Sequence, residues 1–378
     1  MTSPDATRRA PLSLFLGGDV MTGRGLDQVL AHPSAPRLYE AWVEDAREYV
    51  RLAERRNGPI PAPVSPAYPW GVALEVLARA APDLRLINLE TAVTRHPRPW
   101  PGKGINYRMH PANLACLQAA RIHCCGLANN HVLDWGRPGL RETLASLHAA
   151  GLQTTGAGVD RDQAERPAAF AIPGKGRVLV FAVGLADSGI PPTWAAGARR
   201  PGLSFLPDLS AASARRLAAR LRRHKRAGDL LILSVHWGGN WGYHIPQAQQ
   251  DFAHRLIEEG GVDLLHGHSS HHPKALEVYG ERLILYGCGD LLNDYEGIDG
   301  HEAYRDDLRL LYLAELEAGS GKLRALRLVP LRIARMRLQE ASGEERQWLL
   351  QRLAPEVRRF GAELSLDDDG WLALSWGL

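Results

Sequence analysis

Only four cysteines occur in this chain of 378 residues, Cys116, Cys124, Cys125 and Cys288, and none forms a Cys-x-x-Cys pair or a framework spacing. That argues against a disulfide scaffold and predicts reduced, apolar side chains in a cytoplasmic protein. A long apolar run is missing as well. Arg8 and Arg9 precede a stretch of a few apolar residues that runs straight into Asp19, too short for a secretory h-region and far too short for a membrane span. Charge of one sign is also scarce: 45 Lys and Arg against 42 Asp and Glu leave a net charge of +3, with the two signs interleaved. Nucleic acid is therefore not an expected partner, whereas an anionic substrate is compatible with the balance. Repeats and low-complexity tracts are absent. The remaining composition, 45% hydrophobic and 23% charged, is that of a globular protein long enough for a large core.

What is present is a recurring unit. Residues 12–16, 84–89, 122–127, 178–183, 230–235, 262–265 and 283–286 read as short, mostly apolar strands. Helix-like segments at 138–150, 210–227 and 246–259 alternate with several of them, which predicts a layered α/β sheet. Residues 308–316 and 323–328 have no helix between them and read as antiparallel strands closing a second sheet. A charged amphipathic helix at 344–360 and a strand at 371–376 follow. The expected organisation is one domain over residues 1–340, with 341–378 packed on it. Residues 30–70, containing the Pro-rich PIPAPVSPAYP, interrupt the first strand-to-helix unit and are predicted to cover the site.

Five polar motifs stand where apolar strands stop: Gly18-Asp19, Asn88-Leu-Glu90, Asn129-Asn130-His131, His236-Trp237-Gly238, and His266-Gly-His268-Ser-Ser-His271-His272. Strand ends are rigid, so a sheet can bring such distant residues to one point, and Asp, Glu, Asn and His together make a hard-to-borderline metal site. Asp19 can ligate a cation or cap a turn. Arg24 can hold a substrate anion by its forked donors or pair with a surface acid. Glu90 at the end of a buried strand needs a partner, and Asn88, two residues earlier on the same face, can orient it. His131 beside Asp134 suits a general acid. Four histidines in seven residues favour metal over packing, without saying which two ligate. Lys103 can line the entrance or sit in a solvated loop.

Taken in order, Gly18-Asp19-Val-Met-Thr-Gly-Arg24, Asn88-Leu-Glu90, Leu127-Ala-Asn-Asn-His131 with Asp134 and Gly136, His236-Trp-Gly238 with Pro246 and Gln249, and Gly267-His268 through Gly289-Asp290 resemble the CapA family of poly-gamma-glutamate capsule biosynthesis proteins, a branch of the calcineurin-like metallophosphoesterases. The resemblance covers residues from about Leu12 to about Glu296. It implies a four-layer α/β sandwich of two mixed sheets flanked by helices. It also implies Asp19, Glu90, Asn130, His236, His268 and His271 as metal ligands and His131 as the catalytic His; Asp134 is expected to set the His131 tautomer, and Arg24, Asn129 and Lys103 are expected toward the substrate. Three positions depart from the phosphoesterase pattern. Met21 replaces the His of Asp-x-His, Glu90 replaces a bridging Asp, and Ser269 and Ser270 separate the final histidine pair. One firmly held ion, or a second one bound with substrate, is then as compatible as two.

Three readings follow. The first is a metal-dependent hydrolase of a phosphoester or a polyanion such as poly-gamma-glutamate, in which one or two divalent ions, Mn, Fe or Zn rather than Mg, acidify a bound water. The second is a non-catalytic accessory protein that binds polyglutamate or a partner in polymer synthesis or export. The third treats the histidines as structural.

Overall fold

The computed structural model describes residues 10–377; Arg8 and Arg9 lie outside them. Hydrophobic periodicity of two builds the architecture. In the strand Leu12–Val20, Leu12, Leu14 and Leu16 face one core while Phe15 faces another. In Leu84–Leu89, Leu84 and Leu86 join the first core and Ile87 and Leu89 the second. Both faces of each strand are thus buried, as the continuous apolar runs require.

The larger sheet has ten strands. Its main path runs Ala362–Leu366, Leu372–Trp376, Leu323–Ala334, Leu308–Leu316, Leu12–Val20, Leu84–Leu89, Cys124–Gly126 and Gln153–Thr155. Asp290–Leu292 pairs in parallel with the end of Leu12–Val20. The smaller sheet, of seven strands, runs Phe205–Leu206, Gly176–Leu185, Leu230–His236, Leu264–His268, Arg282–Leu285 and Leu276–Tyr279, with Ala168–Ile172 beside Gly176–Leu185. Leucines and valines of the two sheets meet in one shared core. Helices Ala73–Ala80 and Gly136–Ala149 cover the far side of the larger sheet, and Ala211–Arg222 and Gln247–Gly260 that of the smaller. The four layers match the expected α/β sandwich.

Two expectations need correction. Leu308–Leu316 and Leu323–Ala334 do not close a second sheet; Leu12–Leu16 pairs antiparallel with Leu316–Tyr312, so both strands extend the first. The histidine cluster does not simply follow a strand either. Leu264, His266 and His268 alternate on one face, and the strand runs on through His268. The segment 30–70 contains the helix Arg47–Asn57 and the single turn Tyr68–Trp70. The C-terminal helix Gly343–Arg358 places Leu349, Leu353 and Val357 in the inter-sheet core, and the last two strands add to the edge of the larger sheet. Among the described residues no helix is long and apolar enough to cross a membrane.

Candidate metal centre

The inter-sheet face that is apolar at Leu16, Leu86, Ile232 and Leu264 becomes polar at the next positions along the same strands: Asp19, Asn88, Ser234 with His236, and His266 with His268. A β-bulge makes the first of these possible. Gly17 stands opposite Ile87, one residue is skipped, and Asp19 then stands opposite Asn88. The bulge re-aims the Asp19 side chain into the gap between the sheets. Gly18, the skipped residue, has to be glycine, because a Cβ there would sit 1.7 Å from the Gly289 carbonyl oxygen.

Asp19 is fully buried. Asn88 Nδ2 donates to its Oδ1 at 2.7 Å and to Glu90 Oε2 at 3.3 Å, and the Ser269 amide donates to Asp19 Oδ2 at 3.1 Å. Ser269 takes a φ of +105° to do so, a conformation that L residues rarely adopt. His268 Nδ1 lies 3.7 Å from Asp19 Oδ1 and 2.8 Å from His236 Nδ1, while His236 Nε2 is 3.2 Å from Asn130 Oδ1. On the other side His271 Nδ1 meets Asp290 Oδ1 at 2.9 Å, and Asn293 Nδ2 donates to Asp290 Oδ2 at 2.7 Å. Two donor groups result, Asp19 with His236 and His268, and Asp19 with His271 and Asp290. Within each, the candidate ligand atoms lie within 4.8 Å of one another. Asp19 belongs to both.

Burial and then the charge of Asp290 push Asp19 up to about 7. Burial, then Asp19 and Asp290, push Glu90 well above the usual carboxylate range. Burial drives His236 and His268 well below the ordinary imidazole value. His271 moves the other way: burial opposes its charge, but Asp290 and Asp19 raise it. Crowded, buried carboxylates beside neutral imidazoles form a donor set that fits a divalent cation.

Facing this group is a second constellation. His131 Nδ1 is 2.7 Å from Asp134 Oδ2, and its Nε2 is 3.7 Å from Glu90 Oε1. The Tyr107 amide donates to the same Asp134 oxygen at 2.6 Å, and the Tyr107 ring meets His131 edge-on at 4.6 Å. Burial lowers His131 to about 4 despite Asp134. Lys103 Nζ lies 2.7 Å from Asp134 Oδ1 and 3.1 Å from His131 Nδ1, so it stands beside the pair rather than in a solvated loop.

Residues 13–295 match the family model described as "Bacterial capsule synthesis protein PGA_cap". The chain belongs to this family. A "Probable polyglutamine synthesis accessory protein" of Mycobacterium tuberculosis is 48% identical over 362 residues, covering 96% of this chain and 95% of that one. The "PGA biosynthesis protein CapA" of Bacillus subtilis is 26% identical over 200 residues, covering 51% of this chain and 48% of its own length. A solved phosphatase from Mycoplasma pneumoniae aligns over 88% of this chain and 95% of its own, with 9% identity and a TM-score of 0.45.

In this PGA_cap chain the motif residues do not all join these donor groups. Arg24 is neither an open anion clamp nor paired with a surface acid. Its Nη2 bonds Asp294 Oδ1 at 2.6 Å and its Nη1 bonds Glu40 Oε1 at 3.0 Å, with all three side chains buried. Its guanidinium also stacks 3.7 Å from the centre of the Tyr49 ring, so the 30–70 segment is tied to the motif loop through Glu40 and Tyr49. Asn129 is spent on the scaffold, donating to Asn88 Oδ1 and Leu89 O and accepting from the His131 amide. Of the four histidines, His268 and His271 enter the donor groups. His266 bonds the Gly17 carbonyl, and His272 Nδ1 bonds Pro273 O while its ring lies against Trp241. Met21 is buried with its sulfur 3.8 Å from the Tyr295 hydroxyl, and Tyr295 touches His271 edge-on. Asp290 was missed as a donor. Its signal was available, an acid after Gly287-Cys288-Gly289 at the close of an apolar run, and its partner Asp19 is its direct register neighbour.

Proposed function

We propose that the chain is a metal-dependent hydrolase of a phosphoester or of a polyanionic amide polymer of the poly-gamma-glutamate kind, serving capsule or polymer synthesis. The observation that carries this reading is the Asp19 carboxylate shared by two donor groups, with the His131 and Asp134 pair reaching Glu90 beside them. Asp19, His236 and His268 would hold one cation and Asp19, His271 and Asp290 a second, with Glu90 and Asn130 alongside. The mixed carboxylate and imidazole set favours Mn, Fe or Zn over Mg. When bound, such an ion supplies Lewis acidity and lowers the pKa of a coordinated water.

The chain's own residues do the rest. Asn88 fixes the Asp19 carboxylate by donating to it, and Asn129 fixes Asn88. Asp134 accepts a hydrogen bond from His131 Nδ1–H, which leaves Nε2 as the proton-accepting atom toward Glu90. Once protonated there, the imidazolium is stabilised by Asp134 and returns its proton to a leaving oxygen. Lys103, half shielded beside Asp134, offers an ammonium to an incoming anionic group.

The accessory reading has support of its own. Met21 places a thioether where phosphoesterases carry an imidazole, and the 48% identical relative is named as an accessory protein. Metal analysis with aryl-phosphate and poly-gamma-glutamate assays across Mn, Zn, Fe and Mg decides between them. Turnover lost in His236→Ala is the expected result; cation uptake without turnover on either substrate would favour the binding role.

A further inference from the structure

We infer that His266 and Ser234 are positioning residues that fix which nitrogen of His268 is bare and able to take a cation. This rests on the cation reading above. The relay begins at a group that can only accept. The Gly17 carbonyl oxygen lies 2.9 Å from His266 Nε2, so that nitrogen carries the proton. Neutral His266, fully buried, then has its lone pair on Nδ1, 3.2 Å from Ser234 Oγ. The hydroxyl gives its one proton to that lone pair. With its proton committed, Ser234 Oγ faces His268 Nε2 at 2.7 Å as an acceptor, so His268 is protonated on Nε2. The bare atom of His268 is therefore Nδ1, the one beside Asp19 Oδ1 and His236 Nδ1.

The other imidazole has the same polarity. Asn130 Oδ1, 3.2 Å from His236 Nε2, accepts a proton there and leaves His236 Nδ1 bare. Two bare nitrogens then face each other across 2.8 Å next to a carboxylate. They repel unless something positive lies among them. Ser234 and His266 each stand two residues before a donor on the same strand face, one layer deeper in the inter-sheet core. A hydroxyl suits the link, since it donates once and accepts as well. A hydrogen-bond partner on the far nitrogen fixes the tautomer and orientation of a ligating histidine. His266 is thus dense with the ligand histidines in sequence yet spends both nitrogens on the relay.

Long-range proton–nitrogen NMR of the histidines in cation-free wild-type protein reads the tautomers directly. Protonation of both His266 and His268 on Nε2 is expected; a proton on His268 Nδ1 overturns the inference. The second measurement is Mn(II) affinity by calorimetry in Ser234→Ala and Ser234→Thr, each checked for an unchanged melting temperature without cation. Alanine should weaken binding about 10- to 100-fold, while threonine, which keeps the hydroxyl, should stay close to wild type. Equal affinity in wild type and Ser234→Ala overturns the relay. A wild type that takes up no Mn(II) yet shows the expected tautomers overturns the cation reading and leaves the relay standing.

Discussion

Two clusters of buried acids lie side by side in this chain, and they are neutralised differently. In one, Glu40 and Asp294 hold Arg24 between them, so the cluster carries its own cation. In the other, Asp19, Glu90 and Asp290 crowd together with amides and imidazoles, and the nearby Lys103 ammonium is bonded to Asp134 instead. Both clusters use residues from the same two chain segments, 19–24 and 290–294. Burying charge without a partner is costly, so an acid cluster that keeps its members close has a built-in cation, holds protons, as Asp19 and Glu90 are pushed to do, or receives a cation. Arg24 closes the first cluster to ligands; in the function proposed above, the second would receive a cation.

The comparison breaks first if Arg24 is removed. Arg24→Leu leaves Glu40 and Asp294 buried and unpaired, and should cost about 3–5 kcal/mol of stability in denaturant unfolding, with cation affinity little changed. An unaltered unfolding free energy would mean that the first cluster does not depend on its guanidinium. Next in size is Asp19→Asn, which removes the shared carboxylate from both donor groups. Cation affinity should fall by roughly 100-fold, about 2.7 kcal/mol, while the cation-free protein should be no less stable, since like-charge crowding is relieved. Calorimetric titration checks the first part and thermal melts the second. Loss confined to one of two bound ions would show that Asp19 is not shared.

Much of this was legible in the sequence, and what was not has physical causes. The strand ends carrying Asp19, Glu90, His131, His236 and His268 were visible because apolar runs stop there, and the period of two placed Asn88 with Glu90. The sheet to which Leu308–Leu316 belongs was not, because antiparallel strands have the same pattern whichever edge they join; only pairing with Leu12–Leu16 decides it. Arg24 was misplaced for a related reason. Its partners Glu40 and Asp294 are 16 and 270 residues away in sequence, and no local pattern announces such a pairing. Asn129 sits in a polar motif yet serves Asn88 and the backbone, which a motif alone does not distinguish from a substrate contact. The roles of the four histidines were set by what each meets: the Gly17 carbonyl, Asp19, Asp290 and the Pro273 carbonyl.

A smaller effect separates the clusters by pH. In the cation-free protein Asp19 titrates near 7, raised by burial and then by Asp290, against about 3.9 in the unfolded chain. Between those values the folded state holds a proton that the unfolded state has lost. Stability from this group is therefore full below about pH 4 and declines as pH rises toward 7. A bound cation keeps Asp19 ionised and removes that decline. Melting curves of chelator-treated and Mn-loaded protein should diverge by several degrees as pH rises through this window, the loaded form being the more stable. Parallel curves would contradict a cation on Asp19.

The smallest expected effect concerns Lys103, which stands beside Asp134 and His131. Its ammonium lies 2.7 Å from Asp134 Oδ1 and donates to the Ile105 carbonyl, and Lys103→Gln removes the charge while keeping a polar side chain. If that charge receives an anionic substrate, the Michaelis constant should rise by up to about tenfold, some 1.4 kcal/mol, with kcat nearly unchanged, because binding is lost equally from ground and transition states. If instead the ammonium serves to hold the Asp134 and His131 pair, kcat falls and the Michaelis constant stays. Added salt should erase the first effect and leave the second, since a partly exposed charge acting on an approaching anion is screened and a buried hydrogen bond is not. The first outcome is expected: with His131 Nδ1 already 2.7 Å from Asp134 Oδ2, the pair is fixed without help, and the partly exposed ammonium keeps donor capacity beyond its bond to the Ile105 carbonyl for an incoming anion.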